Sequence, residues 1–375
     1  METDIFKKLA KFLDDLPGGF PPTESGVELR ILRRLFSPEE AKLTLHLSVL
    51  PEDPSVIARR VKRPKREIER QLEEMFQKGL VSKSTKEGYP DRYSALQFAI
   101  GIWEYHVNDL DQDLARDVGE YIPTLMDFET WKKAPQLRTI PVNKSIDHKL
   151  EVFPYEDVGA LIKGHTQFLV APCICRREKK LQGEGCDKPE DNCLVLGKAT
   201  KIYRERGVGR EIDREEALQI LKEADEAGLV LQPSNSRDIV NICLCCGCCC
   251  AVLRTMKTHP KPATLVSSPF ICSADPETCN GCEACLERCQ MDALSLEDER
   301  IVLDLERCIG CGLCVSACPT EALRLMRKPE AEQKPVPRTF RNALIDLWRA
   351  RGKLTPASAA KILVKSKVDR ILTPK

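Results

Sequence analysis

Cys279-Asn280-Gly281-Cys282-Glu283-Ala284-Cys285-Leu286-Glu287-Arg288-Cys289 and Cys308-Ile309-Gly310-Cys311-Gly312-Leu313-Cys314-Val315-Ser316-Ala317-Cys318-Pro319 are one spacing, C-x2-C-x2-C-x3-C, written twice. Three cysteines at x2 spacing wrap a tight loop, and a fourth at x3 reaches away from it. Gly281 and Gly312 sit where the backbone must pass close to whatever the loop encloses. Thiolates in this density suit a soft metal. A zinc ribbon would pair separate CxxC units rather than repeat this longer run. The chain holds 19 cysteines, an odd number, all between Cys173 and Cys318. A secreted disulfide scaffold would be short and would spread its cysteines through the fold, so the pattern predicts metal thiolate in a reducing cytoplasm.

The two runs resemble bacterial-type ferredoxins that carry two [4Fe–4S] clusters, over about fifty residues. Pro319 follows Cys318 as in that family, whereas Gln290 stands after Cys289. The resemblance implies crossed ligation, in which the fourth cysteine of each run serves the other cluster. One cluster would take Cys279, Cys282, Cys285 and Cys318, the other Cys308, Cys311, Cys314 and Cys289. It also implies electron transfer between clusters held close together.

Ten further cysteines precede this module: Cys173, Cys175, Cys186, Cys193, Cys243, Cys245, Cys246, Cys248, Cys249 and Cys250. Buried cysteine normally acts as a small hydrophobe. Six thiols within Cys243–Cys250 would oxidise or scramble unless ligated, so at least one more metal centre is expected, a third iron–sulfur cluster before a zinc site. Cys272 is left over. Arg176, Arg177, Lys179 and Lys180 follow the first pair closely, where positive charge would lower thiol pKa values; a solvated basic helix face is the plainer alternative. Arg204 to Arg210 contains neither GxGxxG nor GxxxxGK[ST], which argues against a nucleotide loop. The five histidines, His46, His106, His148, His165 and His259, are scattered and form no metal or catalytic motif.

The 375 residues, 42% hydrophobic and 31% charged with net charge +1, describe a globular chain without a bulk preference for polyanions. No run approaches the ~20 apolar residues of a membrane span. The first twenty residues read as a short amphipathic helix rather than a signal peptide.

The expected fold is multidomain α+β. Residues 1–36 are a helical segment. Residues 37–95 place three helices before a hairpin: Ser37-Pro38-Glu39-Glu40 starts the first, which runs through Leu43, Leu47 and Leu50, and Gly79 ends the third. This order, with the phrase LEEMFQKGLVSK, resembles a winged helix-turn-helix domain. Residues 96–154 read as further helix and then a polar linker from Pro135. Residues 155–268 form a cysteine-rich α/β domain with a helix starting at Asp213 and a strand over 237–242. Residues 269–327 are the ferredoxin-like two-cluster module. Residues 328–375 are a linker and two helices, at 339–351 and 356–366, the second capped by Thr355 and expected to pack back on the chain.

The order of these parts resembles a group of poorly characterised 4Fe–4S binding proteins of anaerobic microbes, which implies an electron-transfer protein or oxidoreductase subunit whose partner is a redox protein or an oxidoreductase complex. Catalysis by the chain alone is the weaker expectation. The alternative is a redox-responsive DNA-binding regulator, with Arg59, Arg60, Lys62, Arg63, Lys65 and Arg66 on nucleic acid. Glu67, Glu69, Glu73 and Glu74 on the same helix argue against it.

Overall fold

The capping signals of the first hundred residues translate directly into helices. The computed structural model describes residues 4–147 and 149–373. His148 lies outside the described residues. The chain divides into two units, Met1–Leu125 with Glu205–Val208 and Leu344–Lys375, and Met126–Arg204 with Gly209–Ala343.

In the first unit, α1 (Ile5–Asp14) and α2 (Val27–Leu35) precede α3 (Pro38–Thr44), α4 (Pro54–Val61) and α5 (Lys65–Gln77). Ser37 and Glu40 form a complete capping box at α3. This helix stops at Thr44, short of the expected Leu50. The Thr44 hydroxyl donates back to the Glu40 carbonyl at 2.8 Å, a local bond that competes with helix continuation. In α5, Ile68, Leu72, Met75 and Phe76 face inward as their spacing requires. Gly79, at φ +82°, turns the chain out of the helix. The antiparallel hairpin of β1 (Val81–Lys86) and β2 (Tyr89–Ala95) follows. Glu73 on α5 accepts from Tyr93 at 2.8 Å and pairs with Lys83 at 3.2 Å, which ties hairpin to helix.

The helix expected from residue 96 is interrupted. Ala99 and Ile100 are extended and Gly101 lies outside helical angles, and a short turn, α6 (Trp103–Tyr105), precedes α7 (Gln112–Leu125). The Leu114 amide donates to the Asp111 carboxylate at 2.9 Å, a cap that starts a fresh helix there. Phe20 packs between Tyr121 and Phe98, at ring separations of 4.7 and 5.0 Å.

The second unit opens with α8 (Phe128–Lys133) and α9 (Val158–Lys163). Its sheet contains β3 (Phe168–Pro172), β4 (Asp191–Leu196), β5 (Arg210–Ile212), β6 (Val230–Pro233) and β7 (Asn241–Cys245), in the order β5-β3-β4-β7-β6 and antiparallel throughout. Between strands lie α10 (Ile174–Leu181), α11 (Ala199–Glu205) and α12 (Arg214–Glu226), with α13 (Ala251–Lys257) after β7. Asp213 caps α12, which buries Ala217, Leu221 and Ala224 in the core below the sheet.

Two local readings change here. The strand expected over 237–242 begins four residues later, at Asn241. The Ser234 hydroxyl accepts from the Val240 amide at 3.0 Å, and Arg237 and Asp238 instead bond the backbone of Pro337 and Arg338. The polar stretch after Pro135 is no solvated tether at its start: Leu137 and Ile140 bridge to Ser234 and Leu231, Ile140 and Val142 are buried, and the Val142 amide donates to the Cys311 carbonyl at 3.1 Å.

The cysteine repeats follow in β8 (Phe270–Ala274), α14 (Ala284–Arg288), β9 (Leu294–Glu297), β10 (Arg300–Leu303), α15 (Leu313–Ala317) and β11 (Leu323–Arg327). β8 pairs with β11, and β9 with β10. Each run of three cysteines leads into a single helical turn, and the fourth cysteine caps that turn's end. The last two helices are α16 (Phe340–Ala350) and α17 (Pro356–Ile371), the latter longer than expected and capped by Thr355. Within the first unit, Trp348 donates to the Asp15 carbonyl at 2.8 Å and Arg351 pairs with Asp14 at 2.6 Å.

Candidate metal centres

The eight repeat cysteines gather in two recesses. Cys289, Cys308, Cys311 and Cys314 line one. Cys279, Cys282, Cys285 and Cys318 line another. The fourth cysteine of each run faces the other run's three. Cys272, which sequence spacing left unassigned, lines the first recess, with its sulfur 3.8 Å from that of Cys314. Alternation along β8 is the signal that would have placed it, since Phe270 and Cys272 share the buried face.

Backbone amides point at these sulfurs. Ala293 N–H donates to Cys289 at 3.2 Å and Cys272 N–H to Cys308 at 3.4 Å. Burial pushes the Cys311 thiol up. Contact with Cys272, then burial, does the same for Cys314. At Cys318 burial is outweighed by the Thr320 hydroxyl and neighbouring amides, which pull it down. Four soft donors round one recess fit a thiophilic centre, whose positive charge would deprotonate the thiols outright.

The ten upstream thiols sort into two groups. Strand alternation puts Cys243 and Cys245 on one face of β7, and the turn after Cys246 presents the rest. Cys193 is the cross-strand partner of Cys243. From there a row of neighbouring sulfurs runs through Cys245, Cys250 and Cys175 to Cys173. Cys173 is the N-cap of α10 and Cys250 that of α13, so each stands at the start of a helix, though neither sulfur accepts a capping hydrogen bond. Thiol partners Cys175 and Cys245 pull Cys250 down to about 5.

The second group is Cys186, Cys246, Cys248 and Cys249, whose sulfurs all lie within 4.8 Å of one another. Cys186 comes from the loop between α10 and β4, the others from the turn after β7. The Arg176 guanidinium, 1% exposed, donates to the Cys246 sulfur at 3.2 Å. Burial opposes ionisation of Cys186, but the Lys188 amide, two neighbouring thiols and Arg176 bring it down to about 7. Arg177 and Lys180 turn away and pair with Glu190, at 2.7 and 3.0 Å.

Gln290, the departure from the ferredoxin pattern, joins the two cysteine regions. Its side-chain oxygen accepts from the Gly247 amide at 2.7 Å. A Cβ on Gly247 would stand 2.3 Å from the Gln290 carbonyl oxygen, so only glycine permits this approach. Thus the turn between Cys246 and Cys248 lies against the residue that follows Cys289. Beside it, Asp225 on α12 holds Arg288 at 2.6 Å and Ser316 at 3.0 Å, one residue from each of α14 and α15.

Three of the described histidines serve local structure. His106 and His165 bond helix carbonyls at 2.7 and 2.8 Å, and His259 accepts from the Lys261 amide at 3.0 Å. Of the basic cluster, Arg60 forms a two-bond fork with buried Glu52, each bond 3.0 Å, and reaches Asp369 at 2.6 Å. Arg59 meets Asp369 at 3.0 Å and Arg63 meets Glu67 at 2.6 Å. Among the described residues, no helix is long and apolar enough to cross a membrane.

Residues 301–324 match the 4Fe-4S binding domain family, a span that holds the second cysteine run. No curated protein and no solved structure matches the chain. A mixed α/β chain with a 4Fe-4S domain and a separate cysteine cluster is an iron–sulfur-binding protein in class.

Proposed function

We infer that the chain carries electrons through two [4Fe–4S] clusters, one on Cys279, Cys282, Cys285 and Cys318, the other on Cys308, Cys311, Cys314 and Cys289. The observation that carries this reading is the sorting of those eight thiols into two recesses, each lined by three cysteines of one run and the last of the other. Bound there, each cluster would supply a reversible one-electron site. The chain's own residues hold the thiolates and aim N–H groups at them, which stabilises their negative charge. The row Cys173, Cys175, Cys250, Cys245, Cys243 and Cys193 is the proposed seat of a third iron–sulfur cluster, since six thiols stand there side by side, two of them at helix starts. The Gln290–Gly247 contact supports passage between the regions, and the partner is read as a cytoplasmic redox protein or oxidoreductase complex.

The order of three helices and a hairpin over residues 37–95 supports the winged-helix reading. Three of its six basic residues, Arg59, Arg60 and Arg63, are paired with Asp369, Glu52 and Glu67, which favours a structural module over a DNA reader.

The test is iron and acid-labile sulfide per chain, with EPR of the reduced, anaerobically purified protein. About twelve irons are expected on this reading, about four per cluster. About eight would remove the upstream cluster, and fewer would refute the two-cluster module. Cys311→Ala should lose about four irons; full iron content in that variant would refute the ligand set.

A further inference from the structure

Two ways of holding metal with four cysteines differ in how far apart the sulfurs stand. Round a single tetrahedral ion with Zn–S bonds of about 2.3 Å, simple geometry puts sulfurs about 3.8 Å apart. In a cubane each thiolate binds its own iron and points away from the cluster's middle, so the sulfurs are pushed much wider.

In the group of Cys186, Cys246, Cys248 and Cys249, the sulfurs of Cys186 and Cys246 are 3.9 Å apart, those of Cys248 and Cys249 3.8 Å, and those of Cys249 and Cys186 3.6 Å. These three distances match edges of a tetrahedron round one ion, the other three edges lie within 4.8 Å, and all three exceed any S–S bond length. Among the described residues, no other set of three or more Cys, His, Asp or Glu donors is gathered within 4.8 Å. The eight ferredoxin-type thiols, which line recesses instead, act as the internal comparison.

We propose that Cys186, Cys246, Cys248 and Cys249 hold one tetrahedral thiophilic ion, of the zinc class, rather than an iron–sulfur cubane. The surroundings agree. Four thiolates round a divalent ion leave a net negative charge, and the buried Arg176 guanidinium touches Cys246 at 3.2 Å to offset it. Amides of Cys249, Cys186 and Lys188 donate to the sulfurs of Cys246, Cys249 and Cys186. Cys246 and Cys249 are 1% exposed while Cys248 lies at the surface, which gives an ion a way in. All four positions are thiols, leaving none for water, so the site reads as structural. It would pin the Cys246–Cys249 turn, and with it the Gly247 contact to Gln290, to the loop carrying Cys186. This assignment stands apart from the electron-transfer reading, because neither ferredoxin recess contributes a ligand.

The experiment is metal analysis of the full chain, purified anaerobically and dialysed against EDTA. Wild type should retain about one zinc besides its iron, with X-ray absorption at the zinc edge showing four sulfurs at about 2.3 Å. Cys248→Ser and Cys186→Ser should each lose that zinc and keep all iron and sulfide. Retained iron also shows that the variants are folded, and Cys248, being exposed, is the milder change. Loss of a single iron in place of zinc would keep the one-ion site and identify its metal. Loss of about four irons from either variant, or a wild type holding no ion beyond cluster iron, would overturn the proposal.

Discussion

Gly247→Ala is the sharpest test of how the two cysteine regions are joined. Gly247 lies outside the left-handed region, so alanine should suit its backbone and, by narrowing the unfolded ensemble, stabilise by about 0.4–1 kcal/mol. The neighbourhood reverses that sign. The new methyl would sit 2.3 Å from the Gln290 carbonyl oxygen and 3.2 Å from its carbon, where ordinary contact begins at 3.4 Å. The obstacle is backbone, so no rotamer change relieves it, and the two loops must part by roughly 1 Å, as in an overpacked core, at ~1–3 kcal/mol. Parting them also stretches the 2.7 Å bond from Gly247 N–H to the Gln290 side chain, a bond contributing ~1 kcal/mol. The net expectation is a loss of ~2 kcal/mol. Anaerobic urea unfolding followed by circular dichroism should show the midpoint falling by about 1 M, for a slope of ~2 kcal/mol/M. Gln290→Ala alone should cost about 1 kcal/mol and should not rescue Gly247→Ala, because the offending oxygen belongs to the main chain. A Gly247→Ala chain as stable as wild type, or one restored by Gln290→Ala, would refute the reasoning.

Glu156 is 2% exposed and grips Arg327 at the end of β11 with bonds of 2.8 and 3.0 Å, beside buried Arg138. Glu156→Gln leaves these guanidinium groups short of a counter-charge and should cost ~3–5 kcal/mol, read by the same unfolding assay. Asp14 is pushed up by burial but pulled down further by Lys353, the Phe20 amide and Arg351, so its folded pKa lies below the ordinary 3.8. Its contribution is therefore complete above that value and lost as pH falls through the folded pKa, because the unfolded chain binds the extra proton in that window. Trp348 fluorescence in an acid titration should report release of α16 there, and Asp14→Asn should show a perturbed signal already at neutral pH. Cys272→Ala should keep full iron content, since Cys272 lends the recess a wall and an amide; loss of about four irons would make its sulfur a ligand.

The parts of this molecule legible in sequence are those decided locally. Ser37 with Glu40, Asp213, Thr355 and Gly79 begin or end helices because a cap needs only neighbours in the chain. The repeat spacing likewise announces its own metal chemistry. What was not legible depends on pairing. The residues after Pro135 look like a tether, yet Leu137 and Ile140 meet β6, whose edge no local pattern reveals. The strand expected from Arg237 starts late because Arg237 and Asp238 find partners near Pro337, a hundred residues on.

The division of Cys243–Cys250 is the clearest case. In sequence it is a nearly unbroken row of equivalent thiols, and dense cysteine alone suggests one kind of centre. β7 places Cys243 and Cys245 on one face, and α13 begins just after Cys250. Between them the chain must turn, and Gly247 lets it do so against Gln290. Cys246, Cys248 and Cys249 are thereby carried to Cys186, while Cys245 and Cys250 stay with Cys173 and Cys175. One stretch of chain thus supplies thiols to two separate groups. The same turn rests on the residue after Cys289, so the cysteine groups are joined by a short covalent and hydrogen-bonded route. Gln290, standing where the ferredoxin pattern has proline, gives that turn a side-chain acceptor that proline lacks.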